Sequence, residues 1–380
     1  MYHLPLPSIR VVPQFSIMVT SKNALRGIFR GALILSPMAT QDILDTALQW
    51  LAEGRKVALA TVVETWGSAP VPGGSQLLVD EQTHFIGSVS GGCVETAVIG
   101  AAQEVISTGA PRLLEYGVTN EMAWEVGLAC GGRIRIYLEF VGEACHTLLE
   151  QLHACRAAGA SCVTFRNLDT HDSFVLEPGL HVDEQHAELH ELALQALQTD
   201  RCVRHQVQGQ DWFIQPVNTP LRLIIIGAVH TAQHLAGYAL SCGYEVVVVD
   251  PRPAFASAAR FPGVALNTEW PDYALELLAP DQRTALVTLS HDPKLDDPAL
   301  QAALRSPAFY IGALGSSKTH AARRQRLRAA GLEEAEIAPL KAPVGLDIGA
   351  RSPAEIAVSI MAQITRTLRK ELCAEGNNLR

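Results

Sequence analysis

Residues 221–250 constrain the fold of this chain more than any other stretch. A continuous apolar run, Leu221 to Ile226, ends at Gly227, and a helical period through His230, Leu235 and Leu240 follows. Gly243 breaks that period, and a second run, Val246 to Val249, ends at Asp250. Apolar runs without polar alternation belong to strands covered on both faces, which requires helices on both sides of a parallel sheet. The segment therefore reads as a β-α-β unit. Strand candidates at Ala285 to Leu289 and Phe309 to Ile311 alternate with helices, so the C-terminal part is expected to form a doubly wound parallel sheet.

The N-terminal half has a different rhythm. Thr40 can cap a helix whose stripe is Ile43, Leu44, Ala47, Leu48 and Leu51, with Gly54 to end it. Strand-like runs follow at Val57 to Thr65, Gln76 to Asp80 and Phe85 to Ser88. Val94, Ala97, Val98, Ala101, Val105 and Ile106 then give a helical period that stops at Gly109. Arg133 to Phe140 alternates as a half-buried strand. From Glu143 to about Asp211 the pattern suggests one helix, two weak strands and a solvated run from His181 to Glu191. Its histidines lack the fixed spacing of a metal-ligand set. Asn218-Thr219-Pro220 reads as a domain boundary, giving a cysteine-containing α+β domain over 40–217 and a Rossmann-like domain over 221–372.

Two cysteines stand out because glycines flank them: Cys93 in Gly91-Gly92-Cys93-Val94-Glu95, and Cys130 in Cys130-Gly131-Gly132. Glycine is used where a chain turns sharply or approaches a ligand closely, so the pair reads as a site. The competing reading is two small core residues beside unrelated turns. Cys93 falls at a strand-to-helix junction, where unpaired N–H groups and the positive end of the helix dipole favour a thiolate. Cys130 precedes a strand. Glu95, in the first helical turn, can accept a proton, hold a ligand amino group or simply complement the dipole.

Composition excludes several classes. A net charge of −9 and the lack of a basic run with interleaved aromatics argue against nucleic-acid binding. Eight cysteines without a CxxC suit a reducing cytoplasm better than a disulfide framework. No run approaches the length of a membrane span. The first 39 residues are basic and almost free of acids. A transit peptide and a mis-set start codon both fit, and the second is preferred because Met38 lies just before the first helix.

In the C-terminal half the dinucleotide fingerprint is damaged. Gly227-Ala228-Val229-His230-Thr231-Ala232 keeps the first glycine but carries Val229 where backbone must approach a pyrophosphate. Asp250 stands where a ribose-binding acid is expected, or serves as a strand-end cap. His230 is either a ligand contact or a solvated helix start. Ser290-His291-Asp292 follows one strand, and Gly312-Ala313-Leu314-Gly315-Ser316-Ser317-Lys318 follows another, with Arg323 and Arg324 on the next helix. The latter turn could hold an anion through backbone N–H groups, or be structural only. Consecutive Ser, His and Asp on one loop cannot form a hydrolase triad.

Taken together and in order, Gly-Gly-Cys-Val-Glu, Cys-Gly-Gly, the altered fingerprint, Ser-His-Asp, Gly-Ala-Leu-Gly-Ser, Pro343-Val344-Gly345-Leu346-Asp347 and Pro353-Ala354-Glu355-Ile356-Ala357 resemble the XdhC/CoxI family of accessory proteins for molybdenum hydroxylases. The resemblance covers roughly Thr40 to Lys370. It implies a chaperone without turnover of its own that binds molybdenum cofactor, shields it, promotes its sulfuration and delivers it to the apo-hydroxylase, with a cysteine desulfurase supplying sulfur. It implies cofactor contacts at Gly91, Gly92, Cys93, Glu95, Cys130, Gly131, Gly132, Gly227, His230, Asp250, His291, Asp292, Gly312, Gly315 and Ser316. Cys93 comes first as molybdenum ligand or sulfur carrier, and Cys130 second. A homodimer follows by family analogy only. An NAD(P)-dependent oxidoreductase using the C-terminal domain is the alternative, and the altered fingerprint weakens it.

Overall fold

The computed structural model describes residues 42–67, 71–92, 94–117, 132–176 and 187–371. Expectations for residues 1–39, for Thr40, Cys93, Cys130 and Gly131 themselves, and for His181 and His186 lie outside them. Helix α1 (Ile43–Ala52) is capped by Asp42, whose carboxylate accepts from the N–H groups of Leu44 and Asp45 at 2.9 and 3.1 Å. Asp42, a stronger acceptor one residue before the helix, takes the role expected of Thr40. Strands β1 (Val57–Trp66), β2 (Gln76–Asp80) and β3 (Phe85–Gly87), helix α2 (Glu95–Thr108), and strands β4 (Arg112–Tyr116) and β5 (Arg133–Phe140) follow. The five strands form one antiparallel sheet in the order β3-β2-β1-β5-β4.

β1 is covered on both faces, which explains its unbroken apolar run. Ala58, Ala60 and Val62 pack with Ile134, Ile136 and the α2 residues Val98, Ala102 and Val105. Val57 and Leu59 face Trp50 of α1 and Leu148, Leu149 and Leu152, which lie on helix α3 (Glu143–Ala158). β4 escaped sequence reading because it is an edge strand with exposed Leu113, so it carries no core alternation.

The middle segment is richer than expected. After α3 come β6 (Cys162–Asn167), β7 (Ser173–Leu176), helix α4 (Ala187–Thr199), β8 (Val203–Val207) and β9 (Gln210–Val217), with a four-stranded antiparallel sheet ordered β7-β6-β9-β8. The expected solvated run is corrected from Ala187 onward: residues 187–191 open α4, whose Leu189, Ala193 and Ala196 pack on Val163, Phe165 and Ile214. Dense His and Glu on the outer face hid that stripe. β8 and β9 join through a two-residue turn, Gln208 (φ 52°) and Gly209 (φ 78°). Positive φ at both centres is the hairpin geometry usually signalled by Asn-Gly.

The C-terminal part follows expectation. β10 (Arg222–Ile226), α5 (His230–Ser241), β11 (Glu245–Val249), β12 (Ala265–Asn267), α6 (Pro271–Leu278), β13 (Thr284–Thr288), α7 (Pro293–Leu304), β14 (Tyr310–Ala313), α8 (Ser317–Ala329), α9 (Glu334–Ile337) and α10 (Pro353–Arg366) succeed one another. All strand pairs are parallel, in the order β12-β11-β10-β13-β14. α5 and α10 cover one face through Leu235, Ala239, Ile360 and Ile364, and α6, α7 and α8 the other through Leu275, Leu300 and Leu327. Strand order reverses between β10 and β13, and ligands of such sheets bind beyond the carboxyl ends at that switch point. Among the described residues no helix is long and apolar enough to cross a membrane.

Candidate functional site

The loop between β3 and α2 is built around one buried carboxylate. Glu95 accepts from the N–H groups of Val89 (3.2 Å), Ser90 (2.9 Å) and Gly92 (2.9 Å), from the Ser88 hydroxyl (2.7 Å) and from the Ser90 hydroxyl. Ser88 and Ser90 hydroxyls in turn accept from the N–H groups of Gly91 and Val94. Gly91 (φ 72°) and Gly92 (φ 110°) supply the left-handed backbone that wraps the amides inward. Burial pushes the Glu95 carboxyl upward, but the hydrogen bonds from Ser90 and Ser88 prevail and hold it down at about 2. A backbone nest able to take an anion is thus filled by the chain's own carboxylate. Glu95 is a brace of the glycine loop, and sequence reading missed its partners Ser88 and Ser90. The Ser-x-Ser-Gly-Gly-x-x-Glu spacing is the signal that would have found them.

Sheet topology brings the flanks of both glycine-rich cysteine motifs to one end. β3 runs parallel to β1, since both pair antiparallel with β2, and β5 runs opposite. Ser88 to Gly92 therefore leave β3, and buried Gly132 enters β5, at the same end. β3 and β5 are three ladder steps apart, roughly 14 Å at ordinary strand spacing, and along the strands Gly87 lies level with Ala60 whereas Arg133 lies level with Trp66, about 20 Å further. Trp66, at the tip of β1, lies opposite Arg133, with the guanidinium groups of Arg133 and Arg135 at 5.6 and 5.2 Å from its ring centre. α2 starts immediately after Val94, so its positive end lies beside the glycine loop.

At the carboxyl edge of the parallel sheet the other candidates are placed unevenly. Gly227 (φ 99°) packs against the next loop: a Cβ there would lie 2.8 Å from the Cβ and the backbone N of Ser290. Fully buried Asp250 accepts from Ala228 N–H at 2.8 Å and from the Arg252 side chain at 2.8 and 2.7 Å. Burial raises its pKa, and the Arg252 and Ala228 hydrogen bonds outweigh that and lower it overall. The carboxylate expected to hold a ribose instead closes its own turn and pairs with Arg252, a residue that sequence reading did not single out. His230 is exposed at the start of α5, its ring 4.9 Å from that of His234. His291 is exposed at φ 61°, and Asp292 caps α7 through the Lys294 N–H. Gly312 is buried where a Cβ would strike Val344 at 2.5 Å, which makes it a packing glycine. Gly315 and Ser316 form the turn into α8, with the Ser316 hydroxyl accepting from Thr319 N–H. Among the described residues no cluster of three His, Cys, Asp or Glu side chains is placed to hold a metal ion.

Comparison with known proteins bears on the family and the fold. The model of the XdhC Rossmann domain matches residues 223–364, and that of the XdhC and CoxI family matches residues 50–117. The chain is 31% identical to the molybdenum cofactor insertion chaperone PaoD of Escherichia coli over 85% of its own length and 87% of that protein. It is 30% identical to a Bacillus subtilis protein described as a probable xanthine dehydrogenase subunit, over 86% of this chain and 97% of that one. A crystal structure described as a xanthine dehydrogenase from Bacillus halodurans superposes with a TM-score of 0.68 at 25% identity, covering 86% of this chain and 96% of that chain. With relatives aligned over most of their length and both halves matched by their own models, the chain belongs to the XdhC and CoxI family.

Proposed function

We propose that this protein carries molybdenum cofactor as cargo, shields it, supports its sulfuration and hands it to an apo-hydroxylase of the xanthine dehydrogenase type. The names of its relatives, one a molybdenum cofactor insertion chaperone and one a xanthine dehydrogenase component, support the carrier role. The observation that supports it here is that the braced Ser88–Gly92 loop leaves β3, and Gly132 enters β5, toward the same end of the first sheet. Cysteine in this reading supplies soft sulfur near the positive terminus of α2, which suits an anionic, sulfur-rich metal centre. In this reading Cys93 is the first ligand or sulfur carrier, Cys130 the second, and a cysteine desulfurase is the sulfur source. The described flanks are consistent with Glu95 fixing the loop rather than touching cargo. The test is direct: Cys93→Ala and Cys130→Ala proteins are loaded with cofactor, and bound cofactor and activation of the partner hydroxylase are measured. Loss of loading or activation supports the reading. Full retention by both variants contradicts the cysteine site.

The oxidoreductase alternative gains nothing from the geometry, because Asp250 is already paired with Arg252 and Val229 stands at the second fingerprint position. Titration with NAD and NADP is expected to show no tight binding, and tight binding would revive it.

A further inference from the structure

The carboxyl ends of β13 and β14 gather buried polar groups that lack protein partners. Thr288 Oγ1, the last side chain of β13, is one, and His320 Nδ1, on the first turn of α8, is another. Arg323 contributes both Nε and Nη1, although its side chain is only 2% exposed. Helical side chains lean toward the N-terminus of their helix, and Arg323 Nη2 accordingly reaches back to the Leu314 carbonyl at 2.8 Å. The guanidinium therefore sits beneath the turn that opens α8. Asp296 lies 3.6 Å away, too far for a hydrogen bond, and its other oxygen takes the Ser290 hydroxyl at 2.6 Å. Burial raises the Asp296 carboxyl, against the lowering effect of the Ser290 hydrogen bond and the Arg323 charge.

The turn above is equipped for an anion. α8 has thirteen residues, no acidic side chain in its first turn, and exposed Lys318 there. The Ser316 hydroxyl holds Thr319 N–H, while the N–H groups of Ser317 and Lys318 have no partner within the helix. The glycine loop between β3 and α2 is not equivalent, because Glu95 fills its nest. At the other helix starts of this edge, Asp250 takes Ala228 N–H just before α5, α6 carries Asp272 in its first turn and Asp292 caps α7. α5 shares the acid-free first turn but, among the described residues, has no buried cationic side chain with unmet donors. A buried donor with unmet hydrogen bonds under a helix N-terminus without acids is the arrangement that an oxyanion completes.

We propose that the turn between β14 and α8 is a phosphate site, taking a phosphate monoester or pyrophosphate on the α8 amides, the Ser316 hydroxyl and Lys318, with Arg323 as the buried cationic donor beneath. The site stands on its own geometry, and identifying the phosphate as that of the cargo rests on the carrier reading above. Inorganic pyrophosphate, titrated calorimetrically into the full-length protein, is expected to bind saturably. Arg323→Lys and the solvent-exposed Lys318→Ala are each expected to weaken it about tenfold, as loss of a charge-assisted hydrogen bond does. If Arg323→Lys does not fold, Lys318→Ala alone carries the comparison. No saturable binding, or binding that a folded variant leaves unchanged, overturns the site. Purified molybdenum cofactor and NADP are then used as competitors. Displacement by cofactor assigns the site to cargo, whereas displacement by NADP alone keeps the site and overturns that assignment. A protein that binds pyrophosphate but never takes up cofactor contradicts the carrier reading and leaves the site standing.

Discussion

Glu95 shows how one side chain decides the chemistry of a loop. Its carboxyl is held at about 2 in the folded protein against an ordinary 4.5, so the folded state favours the ionised form. The resulting stability is complete above pH 4.5 and is lost as pH falls toward 2; it amounts to roughly 3 kcal/mol at 1.36 kcal/mol per unit. Glu95→Gln is expected to lower stability at pH 7 by about 2–3 kcal/mol and to flatten the acid dependence, read by denaturant unfolding at pH 7 and pH 3.5. An unchanged slope would show that the loop does not depend on this charge. Gly227 makes a steric counterpart: Gly227→Ala forces a Cβ against Ser290 at a positive φ and is expected to cost about 2 kcal/mol or more, seen as a drop in Tm.

At the scale of elements, what the sequence reveals depends on whether a strand's environment is written into its own residues. β10, β11 and β13 are covered on both faces, so their apolar runs announce themselves, and β5 alternates because one face is less buried than the other. β4 and β8 are edge strands, and β8 buries only Val207, so neither could be read locally. The candidate site was legible in part for the same reason. Glycines marked the Cys93 loop, but nothing local showed that its amides already serve Glu95, or that Asp250 binds Arg252. Between the first two sheets, Arg166 of β6 and Glu139 of β5 approach to 2.5 Å, both nearly buried. Removing one partner leaves a buried charge, so Arg166→Met is expected to cost about 3 kcal/mol. Adding Glu139→Leu is expected to restore most of that loss in a double-mutant cycle. Purely additive losses would show that the pair is not coupled.

The molecule as a whole joins an antiparallel sheet, with the braced Ser88–Gly92 loop and the Gly132 entry toward one end, to a doubly wound sheet whose fingerprint region is closed by Gly227, Ser290 and the Asp250–Arg252 pair. That combination suits a carrier of an anionic metal cofactor better than a nicotinamide enzyme. In the proposed division of roles, sulfur chemistry belongs to the first sheet and anion recognition to the α8 turn. The most direct measurement mixes the purified protein with free molybdenum cofactor, removes unbound material by gel filtration, and quantifies retained cofactor by molybdenum content and pterin fluorescence. The account expects about one cofactor per chain, since such sites are few per protein, with retention falling in Cys93→Ala. A wild-type protein that elutes without cofactor would contradict it.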